Sequence, residues 1–182
     1  RTSYASLMDH VGSGKEWDLA RKRGGLKIFP PYGEAGTKSG KGKLGALSSI
    51  VSYIESSACE YVVLSDCGIV CAVDYEDLIE KHIESNADIT IVYNDDTIDE
   101  TAKTDNVTLD VRNGKVCEIL VNDVSDKVRH CGMWVYVINK DVLVNAIHEC
   151  DAKGLKDFER DVLQAAVGTL NVKGYEYTGY AK

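Results

Sequence analysis

The sequence predicts an α/β domain built on an open, mainly parallel sheet, with helices on both faces and one inserted β-hairpin. Three observations predict it. Short runs rich in Val, Ile and Tyr alternate with stretches whose apolar residues recur at three and four. Two of those runs, YVVL at 61–64 and ITIVY at 89–93, are nearly continuous in apolar and β-branched side chains, which suits strands buried on both faces. Asn113-Gly114 separates two alternating segments, the signal of a type I′ hairpin.

Taken in order, the chain begins with a polar stretch that reads as mid-domain sequence. Gly24-Gly25 then leads into a short predicted strand at 26–29, stopped by Pro30-Pro31. Residues 32–43 are rich in Gly and Lys and read as a mobile loop. Leu44, Leu47, Val51 and Ile54 mark a helix, with Ile50 widening its apolar stripe. The strand at 61–64 follows, and Asp74 can cap a helix whose core side is Leu78, Ile79 and Ile83. After the strand at 89–93 comes an acidic loop at 94–104. Val107, Leu109 and Val111 alternate before the Asn-Gly turn, and residues 116–121 return. A strand at 133–138 leads into a helix carrying Val142, Leu143, Ala146 and Ile147. A last helix near 158–167 and a strand within 170–177 close the chain. There is no internal repeat and no low-complexity segment.

The chain has 182 residues, 44% of them hydrophobic and 27% charged, the composition of a soluble globular protein expected to form one domain. No apolar run approaches the length of a membrane span, and the N-terminal residues lack a signal-peptide pattern. The formal charge is −8, from 29 acidic and 21 basic side chains, so sequence-independent nucleic-acid binding is not expected. Six cysteines (Cys59, Cys67, Cys71, Cys117, Cys131, Cys150) include no C-x-x-C pair. That pattern reads as reduced core thiols and a cytoplasmic compartment rather than a zinc site or a disulfide framework. His10, His82, His130 and His148 are scattered, and no nucleophile motif, P-loop or G-x-G-x-x-G occurs.

Chemistry is therefore sought where sheets of this kind place it, beyond the carboxyl ends of strands. The strand at 61–64 runs into Ser65-Asp66-Cys67-Gly68. Asp66 can hold a cation or act as a base there, or its carboxylate can satisfy N–H groups of the turn. A second polar group, Lys156-Asp157-Phe158-Glu159-Arg160-Asp161, opens the last helix. Asp157 can be its N-cap, and the neighbouring acids complement the helix dipole. Lys38, Lys41 and Lys43 can face a small phosphorylated ligand, or belong to a solvated loop.

Five segments in this order carry a resemblance: SLMDHVGSGKEWDL at 6–19, GKLGAL at 42–47, VVLSDCGIVCAVDY at 62–75, ADITIVY at 87–93 and DFERDVL at 157–163. Together they resemble glucose-1-phosphate adenylyltransferase, the ADP-glucose-forming enzyme of bacterial glycogen synthesis. SGKEWDL, VVLSD and the IVC run are closest to its non-catalytic D-type companion subunit. The resemblance implies a Rossmann-like, GT-A-like nucleotidyltransferase domain. It also implies that residues 1–182 form a single partial domain, incomplete at the N-terminus. The family's first, phosphate-loop strand and its C-terminal β-helix would lie outside the chain. The loss of that first strand would expose a neighbouring strand edge, so self-association is expected.

Family catalysis is an in-line attack by the sugar phosphate on ATP, with two aspartates holding Mg²⁺ against the charge that builds between two anions. Registered on Asp74-Tyr75, one of those aspartates falls on Gly68, which has no ligand atom. Asp66 lies two residues early as a substitute. The other falls on Asp157 and is retained. The family's phosphate-gripping Glu-Lys-Pro aligns with Val121-Asn122-Asp123, its Ser-Met-Gly-x-Tyr with Gly132-Met133-Trp134-Val135-Tyr136, and its nucleotide-side Gln-Gly-Thr-Ala-Asp-Ala with residues 41–46. The expectation is a regulatory, catalytically deficient subunit with no catalytic residues of its own and no working Mg²⁺ site. It would assemble with a catalytic subunit as a hetero-oligomer and respond to a sugar-phosphate or nucleotide effector. Two competing expectations are an active nucleotidyltransferase using Asp66 and Asp157 around Mg²⁺, and a sensor that binds such ligands without converting them.

Overall fold

The computed structural model of the chain describes residues 2–22, 24–29, 42–95, 106–122 and 130–181. The chain divides between residues 37 and 38 into two compact units. In the first, helix α1 (Thr2–Val11) is followed by one 3₁₀ turn, Lys15–Trp17. Gly14 makes the corner at φ 75°, where a Cβ would come within 3.0 Å of Leu19 and 3.1 Å of Leu26. The His10 and Trp17 rings meet edge to face at 5.8 Å. Residues 26–29 form no strand: the Leu26 N–H donates to the Leu19 carbonyl, so a local turn takes the group that a ladder would need.

The second unit is a six-stranded sheet with helices on both faces. Its strands are β1 (Tyr61–Ser65), β2 (Ile89–Asn94), β3 (Val107–Arg112), β4 (Lys115–Val121), β5 (His130–Asn139) and β6 (Val172–Glu176), in the order β1-β5-β2-β6-β4-β3. Strands β1, β2 and β6 run in one direction, but β5 lies between β1 and β2 and runs against both. Among the strands of the described residues, only β2 and β6 pair in parallel, so the expectation of a mainly parallel sheet is corrected. The physical reason is that burial on two faces, not strand direction, selects a continuous apolar run. Antiparallel β5 is buried continuously from Val135 to Ile138, as parallel-paired β2 is along its whole length.

The hairpin forms as expected, with Asn113 at φ 50° and Gly114 at φ 73°, the two left-handed residues of a type I′ turn. The predicted helix over residues 44–54 is instead two, α2 (Lys43–Ser49) and α3 (Val51–Ser56), separated at Ile50 with φ −117° and ψ 8°. Helix α4 (Tyr75–Glu84) starts where expected, with Asp74 accepting from the Glu76 and Asp77 N–H groups. Its buried face is Leu78 with His82, while Ile83, expected in the core, is 47% exposed. Helix α5 (Lys140–Lys153) buries Leu143, Ile147 and Cys150, and a π-helical turn, Glu159–Gln164, takes the place of the last predicted helix.

Alternation along β2 and β5 builds a core on each face. Ile89, Ile91 and Tyr93 of β2, with Tyr136 and Ile138 of β5, pack under α2, α3, α5 and the π-helical turn. Val92, Met133, Val135 and Val137 point the other way and meet Leu78 of α4. Of the six cysteines, only Cys150 is buried; Cys59, Cys67 and Cys117 are exposed, which corrects their reading as core thiols. Among the described residues no helix is long and apolar enough to cross a membrane.

Candidate functional site

The end of β1, the start of α2, the middle of β5 and the start of the π-helical turn converge on one ammonium group. Lys43 is the first residue of α2, entered through Gly42 at φ 102°, a conformation open to glycine. Its Nζ donates to Glu159 Oε1 at 2.5 Å and lies 3.7 Å from Asp66 Oδ2. The same nitrogen stands 4.9 Å from the ring centroid of Trp134, 5.3 Å from Tyr136 and 5.7 Å from Phe158. Two carboxylates and three aromatic faces thus surround one cation, an arrangement that suits an organic ammonium. The Lys43 and Glu159 side chains are only 23% and 13% exposed, so water screens their attraction less than at an open surface.

Each wall has a local cause. Beyond β1 the Asp66 N–H donates to the Trp134 carbonyl at 3.1 Å, extending the β1–β5 ladder by one residue. Asp66 Oδ1 accepts from the Cys67 N–H at 2.7 Å, so this carboxylate braces its own turn while facing Lys43. Between Ile91–Tyr136 and Tyr93–Gly132, two steps on β2 are matched by four on β5. Trp134 sits in that irregularity at φ 56°, a left-handed conformation rare for a bulky side chain. Phe158, 1% exposed, packs on Tyr136 at 5.8 Å between centroids. The Tyr136 hydroxyl has no hydrogen-bond partner among the described residues. Its ionisation is pushed well up by burial, and further by the negative charges of Glu159 and Asp66.

Asp157 is turned to its own helix. Its Oδ1 accepts from the Arg160 N–H at 3.0 Å and its Oδ2 is 3.9 Å from the Arg160 guanidinium, which realises the N-cap reading. Asp161 Oδ2 accepts from the Lys156 and Asp157 N–H groups. Burial works to raise the Asp161 carboxyl, but those N–H groups and Arg160 outweigh it and hold it below its usual range. Gly68 has nothing nearer a built Cβ than Asp66 Oδ1 at 4.0 Å, so a larger side chain has room there. Asn122, at φ 57°, is bound to its neighbour strand: its N–H donates to the Asn106 carbonyl and its Oδ1 accepts from the Asn106 N–H. Lys38, Lys41 and Asp123 lie outside the described residues.

This donor set fits Mg²⁺ poorly. Asp66 is engaged by an ammonium and an N–H, Asp157 by Arg160, and position 68 offers no side-chain oxygen. Among the described residues no three His, Cys, Asp or Glu side chains group as metal ligands do. His82, His130 and His148 stand apart from this site. His82 is buried, its Nε2–H donating to Asn139 Oδ1 at 3.0 Å and its Nδ1 accepting from the Thr90 hydroxyl at 2.7 Å. His130 pairs with Asp95, and His148 with Glu55 at 2.7 Å.

Sequence reasoning singled out Asp66 and Trp134, which the fold brings to this cluster, and Asp157, which it turns to its own helix, but missed the ammonium that organises the cluster. Lys43 reads as one member of a lysine-rich loop, and Glu159 as one acid among several at a helix start. Their contact spans 116 positions. The available signal is weak: a lysine directly before the buried pair Leu44-Gly45, and an acid directly after a buried Phe.

No family model matches the sequence. The chain is 26% identical over 178 residues to the glycogen biosynthesis protein GlgD of Bacillus subtilis, with 98% of this chain aligned. It is 30% identical over 181 residues to a glucose-1-phosphate adenylyltransferase of Thermotoga maritima, with 96% of this chain aligned. It spans 42% of the length of each of these relatives. In fold it is similar to a crystal structure from Bacillus anthracis named for glucose-1-phosphate thymidylyltransferase activity. The TM-score is 0.68 at 16% identity, covering 97% of this chain and 65% of that one.

Proposed function

From a chain related by sequence over nearly its whole length to glucose-1-phosphate adenylyltransferases and GlgD, we propose a regulatory role: a catalytically silent subunit that assembles with a catalytic one in ADP-glucose synthesis for glycogen. One observation carries the reading. Close in sequence to the positions that register with the family's metal aspartates, this chain holds its own ammonium, Lys43, clamped by Glu159 and Asp66 under Trp134. An ATP or sugar phosphate entering there would meet two carboxylates whose counter-charge among the described residues, Lys43, is already paired. Repulsion between like charges then opposes ligand binding and transfer alike.

Gly68, Asn122 and the left-handed Trp134 support the same reading, since each departs from the pattern that the family resemblance implies. The catalytic partner, the effector and a cytoplasmic setting belong to this proposal. Full-length protein mixed with a catalytic glucose-1-phosphate adenylyltransferase subunit is expected to co-elute with it and to shift its effector response. Unchanged elution and unchanged kinetics would refute the regulatory role. Gly68→Asp alone is expected to restore no turnover, because the new carboxylate joins Asp66 at an ammonium-filled site and Asn122 still lacks a charge. Substantial turnover from that single change would contradict the reading.

A further inference from the structure

We infer that the space bounded by Trp134, Tyr136, Phe158, Glu159 and Asp66 is a recognition cage for a primary alkylammonium, and that Lys43 is its built-in ligand. The inference deepens the reading above and rests on it for its meaning in the assembled protein. It gives the silent site a ligand class, organic cations, opposite in sign to sugar phosphates and nucleotides.

The geometry favours an ammonium over a metal ion. A divalent cation seeks about six oxygens, whereas this site offers two carboxylates and three ring faces. Aromatic faces attract an ammonium and leave its alkyl stem in apolar surroundings, and Glu159 supplies the short charge-assisted hydrogen bond. A separate observation concerns one wall of this space, the Tyr136 ring, whose centroid is 5.3 Å from Lys43 Nζ. The Tyr136 hydroxyl is buried within 1% exposure and has no partner among the described residues, although burying an unpaired polar group is unfavourable. Lys43 itself is held on a tether, as the first residue of α2. The tether also explains how the cage stays filled: an intramolecular ligand acts at an effective concentration on the order of millimolar. Filling it ties the start of α2 to the end of β1 and to the π-helical turn, segments far apart in sequence.

The test uses full-length protein carrying Lys43→Ala, with n-butylammonium chloride as probe and sodium chloride at equal ionic strength as control. Butylammonium is expected to raise the melting temperature of Lys43→Ala saturably, as a ligand of the native state does. In the unaltered protein the same rise should require at least roughly tenfold more probe, the factor that about 1.4 kcal/mol represents. Equal responses of the two proteins, or no response in a folded Lys43→Ala, would overturn the inference. Should Lys43→Ala not fold, Glu159→Gln retains the lysine and loosens its clamp. Reductive methylation of Lys43 is then expected to run roughly tenfold faster than in the unaltered protein, and an unchanged rate overturns the cage. Saturable binding of glucose 1-phosphate that Lys43→Ala abolishes would also overturn it, by making Lys43 an anion ligand. Turnover by the full-length protein alone would defeat the silent reading by a different measurement.

Discussion

Replacing Tyr136 by Phe isolates a single polar atom. The ring is 1% exposed and packs on Phe158 at 5.8 Å, and a phenylalanine retains that packing and the aromatic face toward Lys43. What disappears is a hydroxyl with no partner among the described residues. Leaving such a group buried costs about 1–3 kcal/mol, whereas the void left by one oxygen is smaller than a methyl group. The net expectation is therefore a gain of about 1 kcal/mol in stability. With urea slopes of about 1–3 kcal/mol per molar, the unfolding midpoint should rise by ~0.5 M, with the slope unchanged. A midpoint that falls by a similar amount would refute the reasoning, since it would mean the hydroxyl is hydrogen-bonded in solution. The assay needs only equilibrium unfolding followed by circular dichroism.

His82 makes stability depend on pH in a stated direction. Burial lowers its folded-state pKa from the ordinary 6.5, outweighing the hydrogen bond to Asn139 and the charge of Asp88. The unfolded chain therefore takes up the proton first. The His82 contribution is complete above about pH 6.5 and declines as pH falls below it, by at most about 1.4 kcal/mol per unit, until the folded-state value is passed. Urea midpoints between pH 8 and 5 should show this slope, and His82→Gln should flatten it; an equal slope in the variant would contradict the assignment. At Gly174 a Cβ would stand 2.7 Å from Tyr93 Cε1 and 3.2 Å from Val111 Cγ1. Gly174→Ala is expected to destabilise by about 1–3 kcal/mol through overpacking, read as a lower melting temperature; an unchanged value would show that Tyr93 yields freely.

Local chemistry made most of the second unit legible. The Asn113-Gly114 turn, the Asp74 cap and the runs that became β1 and β2 each depend on residues within a few positions of one another. Strand direction was not legible, because Val135 and Val137 of β5 would suit a parallel strand equally well. Ile83 and His82 exchanged roles for a related reason. Apolar spacing favours Ile83, but Thr90 and Asn139, distant in sequence, satisfy both ring nitrogens and make burial of His82 affordable. At the site, the resemblance directed attention to Gly68, Asp157 and Trp134, and the fold places Trp134 and the Asp66 turn together. Lys43 and Glu159 stayed hidden because a contact across 116 positions leaves no local pattern.

The central claim is that this relative of glucose-1-phosphate adenylyltransferases does not itself transfer a nucleotide. Turnover of ATP and glucose 1-phosphate by the full-length protein, purified by itself and supplied with Mg²⁺, tests it most directly. The account predicts no ADP-glucose or diphosphate above a no-enzyme control. Turnover comparable to that of a catalytic subunit, abolished by Asp66→Asn, would contradict it and make Asp66 a working metal ligand.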